Sequence, residues 1–122
     1  MKSWKVLLVD DEEEFVTTLA ERLKLRGIDA AIATNGEDAL TRIGTDRPDV
    51  VVLDVLMPGL GGLAVLDQIR TTDPKIKVIL LTGRGAVHGD EQKVPPGAFD
   101  FLIKPVNIDD LIGKMREALN AP

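Results

Sequence analysis

Two adjacent aspartates, Asp10-Asp11, follow the apolar run Val6-Leu7-Leu8-Val9, and a third, Asp54, follows Val50-Val51-Val52-Leu53. Thr82 closes the run Val78-Ile79-Leu80-Leu81, and Lys104 closes the stretch from Phe99 to Ile103. If the first and third runs are neighbouring strands, three carboxylates converge. Two unit charges about 4 Å apart repel by roughly 4 kcal/mol even at an effective dielectric of about 20. Such a cluster calls for a cation or a raised pKa. Oxygen ligands without His or Cys select a hard divalent ion, and Mg²⁺ commonly takes one or two carboxylates, waters and a phosphate oxygen. The chemistry this pattern points to is phosphoryl chemistry.

The elements that must position these residues are legible as short apolar runs alternating with helical-period segments, the mark of βα units around a parallel sheet. With a weaker run at Ala30-Ala31-Ile32-Ala33 there are five predicted strands. Phe15, Leu19 and Leu23 recur at helical spacing before Gly27, a residue suited to the left-handed conformation at a helix C-terminus. Asn35-Gly36 leads into a helix through Ala39, Leu40 and Ile43, closed by Pro48, and Leu63, Leu66 and Ile69 mark a third that ends before Pro74. Leu111, Met115 and Leu119 mark the last helix. Between Thr82 and Phe99 the chain carries Gly83, Gly85, Gly89, Gly97 and Pro95-Pro96. An interior glycine costs a helix about 1 kcal/mol relative to alanine and a proline about 3 kcal/mol, so a fourth helix there should be short or irregular. Ligands of an open parallel sheet bind outside the carboxyl ends of its strands, where Asp10, Asp11, Asp54, Thr82 and Lys104 all fall.

Bulk composition narrows the function classes. A chain of 122 residues is one domain, expected over 1–122, with little room for a separate effector. The net charge of −5, from 15 basic and 20 acidic residues, disfavours direct binding to nucleic acid, which needs clustered Lys and Arg. The absence of cysteine excludes disulfides and thiolate chemistry. No apolar run approaches membrane length and no signal segment is evident, so a cytoplasmic location is expected. Each residue singled out has a plain structural use as well. Asp11 with Glu14 has the spacing of a capping box, Asp54 could begin a turn, Thr82 could satisfy a strand-end amide, and Lys104 could be a solvated surface lysine. Their joint placement on one sheet edge favours the chemical reading.

The sequence resembles a response-regulator receiver domain, the phosphoacceptor half of bacterial two-component signalling. The likeness spans essentially the whole chain and rests on "VLLVDDE", "DVVVLDVLMPGLGG", "VILLTG" and "GAFDFLIKP". It implies a flavodoxin-like five-stranded parallel sheet in the order 2-1-3-4-5 with helices on both faces. It further implies that Asp54 is the nucleophile taking a phosphoryl group from a sensor histidine kinase or a phosphotransfer protein. Mg²⁺ would sit on Asp11, Asp54 and the backbone carbonyl of Leu56, with Asp10 helping. Lys104 would pair with a phosphoryl oxygen and the Thr82 hydroxyl would donate to one. A carboxylate with a reference pKa of about 3.9 needs no general base at neutral pH, leaving the single His88 as a surface residue.

The same resemblance implies a cis Lys104-Pro105 peptide bond, and a switch in which Thr82 moves and Phe101 either rotates or stays a core aromatic. Two further residues, Leu56 and Arg84, stand where phosphoryl lifetime is set, and both favour slow self-dephosphorylation. Output would pass through the face made by the fourth helix, fifth strand and fifth helix, to an attached domain, a partner protein or a second copy. A weak fourth helix would make dimerisation unusual or absent. An aspartate-nucleophile phosphatase is disfavoured because Leu56 stands where those enzymes usually carry an acid. A flavodoxin-type electron carrier is disfavoured because Asp10 to Glu14 would repel a flavin phosphate. A receiver-shaped module that is never phosphorylated is the remaining alternative.

Overall fold

β1 (Val6–Val9) and β3 (Val50–Asp54) are buried along their whole length, as strands covered on both faces must be. In the computed structural model, which describes residues 3–83 and 94–122, they lie at the centre of a five-stranded parallel sheet in the order β2-β1-β3-β4-β5. The other strands are β2 (Ala30–Ala33), β4 (Lys77–Thr82) and β5 (Asp100–Ile103), and the described helices are α1 (Glu13–Leu25), α2 (Gly36–Thr45), α3 (Gly62–Thr72) and α4 (Ile108–Asn120). The expected fold class and strand order are thus observed. The fourth helix predicted between Thr82 and Phe99 falls largely on residues 84–93, outside the described residues, and 94–99 contain a turn with Gly97 at φ 94°. Among the described residues no helix is long and apolar enough to cross a membrane.

Strand alternation sorts the core into two layers. Leu7, Val9, Val51, Leu53, Val78 and Leu80 face one cluster with Ala39 and Ile43 of α2 and Val65, Leu66 and Ile69 of α3. Val6, Leu8, Val50, Val52, Ile79 and Leu81 face the other, with Val16, Leu19 and Leu23 of α1 and Leu111, Ile112 and Met115 of α4. The α3 stripe is displaced from the predicted one: Leu63 is exposed and Val65 takes the inner position. In α4, Ala118 is buried and Leu119 lies half-buried. β5 begins at Asp100, one residue into its apolar run, although the Phe99 N–H already donates to the Val78 carbonyl at 2.7 Å.

Helix ends follow local chemistry. Gly27, at φ 81°, closes α1, with its N–H on the Lys24 carbonyl and that of Ile28 on Leu23, both at 3.0 Å. This paired arrangement satisfies carbonyls that the ending helix leaves free. Asn35 caps α2 by accepting from the Asp38 N–H, and Asn107 caps α4 by accepting from Asp109 and Asp110. The capping-box reading of Asp11 and Glu14 does not hold. The N-cap position of α1 is Glu12, its side chain makes no cap bond, and its N–H donates to Asp10 Oδ1 at 2.9 Å.

Gly62 opens α3 against the end of β3, where a Cβ would lie 2.1 Å from the Asp54 carbonyl oxygen and 2.8 Å from Val55 Cα. Both are backbone contacts, so relief requires moving the β3–α3 junction. Gly62→Ala is expected to lower stability by about 2–3 kcal/mol. Gly44→Ala, exposed in α2 with nothing within 4 Å of its Cβ, should raise it by up to about 1 kcal/mol. Urea unfolding of both variants checks this, and equal midpoints for the two would refute it.

Candidate functional site

Register builds the site. Val9 pairs with Leu53, so Asp10 and Asp54 stand side by side at the ends of the two central strands. Leu53 pairs with Leu80 and Thr82 pairs with Ile103, which carries Thr82 and Lys104 to the same edge. The Lys104 N–H donates to the Thr82 carbonyl at 2.8 Å, fixing these two backbones together. Asp10, Asp54 and Thr82 are the buried polar residues among those described, at 1%, 4% and 7% exposure, while Asp11 is exposed. Carboxylate oxygens of Asp10, Asp11 and Asp54 all lie within 4.8 Å of one another. The residues expected to converge therefore do so.

Lys104 is not the solvated surface lysine of the plain reading, for its side chain is only 17% exposed. Its ammonium lies 2.8 Å from Asp10 Oδ2, 2.7 Å from Glu12 Oε1 and 3.7 Å from Asp54 Oδ2. The Phe15 ring approaches it as well, 4.6 Å from ring centre to nitrogen, a distance suited to a cation–π contact. Burial alone would lower the lysine pKa, but the close contacts with Asp10 and Glu12 and the charge of Asp54 raise it above its ordinary value.

Asp54 is poorly compensated by comparison. Oδ1 accepts only a long hydrogen bond, 3.3 Å, from the Leu56 N–H, and Oδ2 lies beyond hydrogen-bond reach of Lys104. Burial, and then the charge of Asp10, push its carboxyl up to about 6, with Asp11 adding to the rise and Lys104 and the Leu56 N–H opposing it. Asp54 thus titrates well above the reference carboxylate value yet stays mostly ionised at pH 7, as expected of a nucleophile that needs no general base. Roughly a tenth of the carboxyl would carry a proton at pH 7 in the metal-free protein. Among the described residues, Thr82 Oγ1 and Asp10 Oδ2 are buried without a hydrogen-bond partner, a condition that costs about 1–3 kcal/mol per group when it persists. A cation matched to hard oxygens fits this donor set, since the cluster holds more negative charge than one ammonium balances.

The remaining sequence candidates have distinct placements. The Leu56 side chain is 66% exposed at the mouth of the site, while Met57 turns into the core and Gly59 takes φ 72°. Phe101 is half-buried against the α2/α3-side core, and Lys104-Pro105 is cis. Arg84 and His88 lie outside the described residues. Sequence reasoning missed Glu12 and Phe15 as partners of Lys104, treating one as part of an acidic run and the other as a helix-core residue. Their spacing of three, within the first turn of a helix that begins at the site, was the available signal.

A family model for the response regulator receiver domain matches residues 6–116, a span that includes all of these positions. The chain belongs to that family. This receiver domain is 38% identical over 115 residues to the response regulator MprA of Mycolicibacterium vanbaalenii, covering 94% of this chain and 50% of the relative. It is likewise 38% identical over 117 residues to MprA of Mycobacterium bovis, with 96% and 51% covered. The chain thus spans about half the length of these relatives. Among solved structures it is similar to the receiver domain of NtrX from Brucella abortus, with 33% identity, a TM-score of 0.87, and 96% and 99% of the two chains covered. The receiver domain of the Francisella response regulator 1452 gives 32%, 0.86, 96% and 97%. Family membership sets aside the phosphatase and flavodoxin alternatives. The receiver domain is a regulator rather than a conventional enzyme.

The raised Asp54 pKa has a pH signature. The folded chain holds this proton up to about pH 6, the unfolded chain only up to about pH 4. Asp54 therefore favours folding below pH 4, and that advantage is lost as pH rises through 6. In the presence of chelator, Asp54→Asn should be more stable than the parent at pH 7 by up to about 3 kcal/mol. The two should converge near pH 4. Urea titrations at both pH values decide it, and a difference that does not change with pH would contradict the assignment.

Proposed function

We propose that this receiver domain, taken as residues 1–122, accepts a phosphoryl group on Asp54 from a phosphohistidine of a sensor histidine kinase or a phosphotransfer protein. The observation that carries the reading is the surrounding of Asp54: a buried carboxylate near two others, one ammonium and, at the same sheet edge, one hydroxyl without a partner among the described residues. An Asp54 oxygen attacks phosphorus as the bond from phosphorus to the imidazole nitrogen breaks, its electron pair returning to the ring. The Lys104 ammonium pairs with a phosphoryl oxygen, and the Thr82 hydroxyl gains the acceptor it lacks. Asp10, Asp11 and Asp54, with the Leu56 carbonyl, are the proposed Mg²⁺ ligands. Bound there, Mg²⁺ would neutralise charge on the carboxylates and the phosphoryl oxygens.

Thr82 and Phe101 belong to the same sheet face, since Leu80 and its register partner Phe101 both meet the α2/α3-side core and Thr82 is two residues beyond Leu80. Movement of Thr82 toward the phosphoryl group would open space beside that ring. The proposed output surface is β5, α4 and the chain between β4 and β5, engaging an attached domain, a partner or a second copy, in the cytoplasm and without direct contact to nucleic acid or membrane. Leu56, exposed and apolar, has no group to orient an attacking water, so self-dephosphorylation is proposed to be slow.

Incubation with a small phosphodonor and Mg²⁺ should add one phosphoryl group to the parent by mass and none to Asp54→Ala. Equal labelling of the two would refute Asp54 as acceptor. Leu56→Asn should lose its phosphoryl group several-fold faster than the parent, followed as decay of the phosphorylated mass. Unchanged decay would remove the proposed role of Leu56.

A further inference from the structure

Lys104 is held from one side. Its ammonium has three N–H groups; it donates to Glu12 Oε1 at 2.7 Å and lies 2.8 Å from Asp10 Oδ2, an ion pair outside hydrogen-bond geometry, and both partners stand with the Phe15 ring at the β1–α1 junction. Asp54 Oδ2, at 3.7 Å, is the distant partner. The two close carboxylate partners differ in freedom. Asp10 is buried and its other oxygen is fixed by the Glu12 N–H at 2.9 Å, whereas the Glu12 side chain is 62% exposed. Glu12 occupies the N-cap position of α1 yet contributes no side-chain cap bond. Its carboxylate engages Lys104 instead.

We propose that Glu12 is a positioning residue that holds the Lys104 ammonium before phosphorylation and competes with the incoming phosphoryl group for it. The inference rests on the reading of Asp54 as phosphoryl acceptor. A phosphoryl oxygen on Asp54 needs the ammonium that Glu12 draws toward α1, and Glu12 adds negative charge at the mouth through which an anionic donor approaches. Glu12, the more exposed of the two close partners, is the one that yields. An exposed ion pair is a weak restraint, so its loss should change acceptance by roughly two- to five-fold and not by orders of magnitude.

The test compares the parent, Glu12→Gln and Glu12→Asp with Mg²⁺ present, by the rate of labelling from a small phosphodonor and by affinity for beryllofluoride. Gln removes the charge while keeping the side-chain shape. Asp keeps the charge but is one methylene too short to hold the 2.7 Å contact. Both variants should label faster and bind beryllofluoride more tightly than the parent, with urea midpoints unchanged, a gain that a merely structural residue would not give when altered. Rates and affinities equal to the parent's in Glu12→Gln would overturn the proposal. A gain in Glu12→Gln with parental behaviour in Glu12→Asp would overturn it too, assigning the effect to charge at the mouth rather than to the contact. A parent that takes neither label nor beryllofluoride would overturn the Asp54 reading, and this inference with it, a result distinct from equal rates.

Discussion

β1 and β3 pair in parallel with Val9 opposite Leu53, and the next residue on each strand is a buried aspartate. The sheet that gives the domain its core thereby forces two carboxylates together where water is largely excluded, and their repulsion is the constraint around which the rest of the site is organised. Sliding the register by one residue would separate them, but it would also turn every apolar side chain of one strand to the wrong layer. Core packing and charge crowding are thus the same decision. Asp11 adds a third carboxylate to the crowding, and the nearby lysine offsets part of it.

Relief of that crowding is partial and uneven. Lys104 sits close to Glu12 and Asp10 and leaves Asp54 the least compensated, which is why burial and the Asp10 charge can hold its pKa so far above the usual carboxylate range. The lysine reaches the site because β5 pairs with β4, and the same pairing binds its backbone to that of Thr82. A change in what these two side chains contact is therefore free of any change in where their backbones stand. The helix on the other side of the site is also involved, since the start of α1 supplies both Glu12 and Phe15 to the ammonium.

Much of this was legible in the chain. Asp10, Asp11, Asp54, Thr82 and Lys104 each end an apolar run, and in a parallel sheet the ends of such runs share one edge, so strand identity alone placed them together. The strands were easy to find because burial on both faces removes polar residues from their interiors. Other features depend on three-dimensional proximity that periodicity does not encode. The α3 stripe runs through Val65 and not Leu63, a helix rotation that the apolar spacing alone left open. Glu12 reads as one of a run of acids until the direction of its side chain is known. The Asp54 pKa depends on burial and on neighbours distant in sequence, and a reference value could not supply it. The predicted fourth helix lies outside the described residues.

The loop between Asp54 and α3 is pinned at both ends. The Val55 N–H donates to Leu81 at 2.9 Å, the Gly62 N–H returns to the Val55 carbonyl at 3.2 Å, and Gly62 fits against Asp54 only because it has no side chain. Between these pins Met57 turns into the core, Leu60 packs against it and Gly59 takes the left-handed conformation, so the loop is itself part of a fixed frame. Its exposed Leu56 overlooks the proposed acceptor without supporting the core. On the proposed reading of Leu56, a substitution there would change response duration while leaving the core untouched, so timing and thermal robustness would be set by different residues.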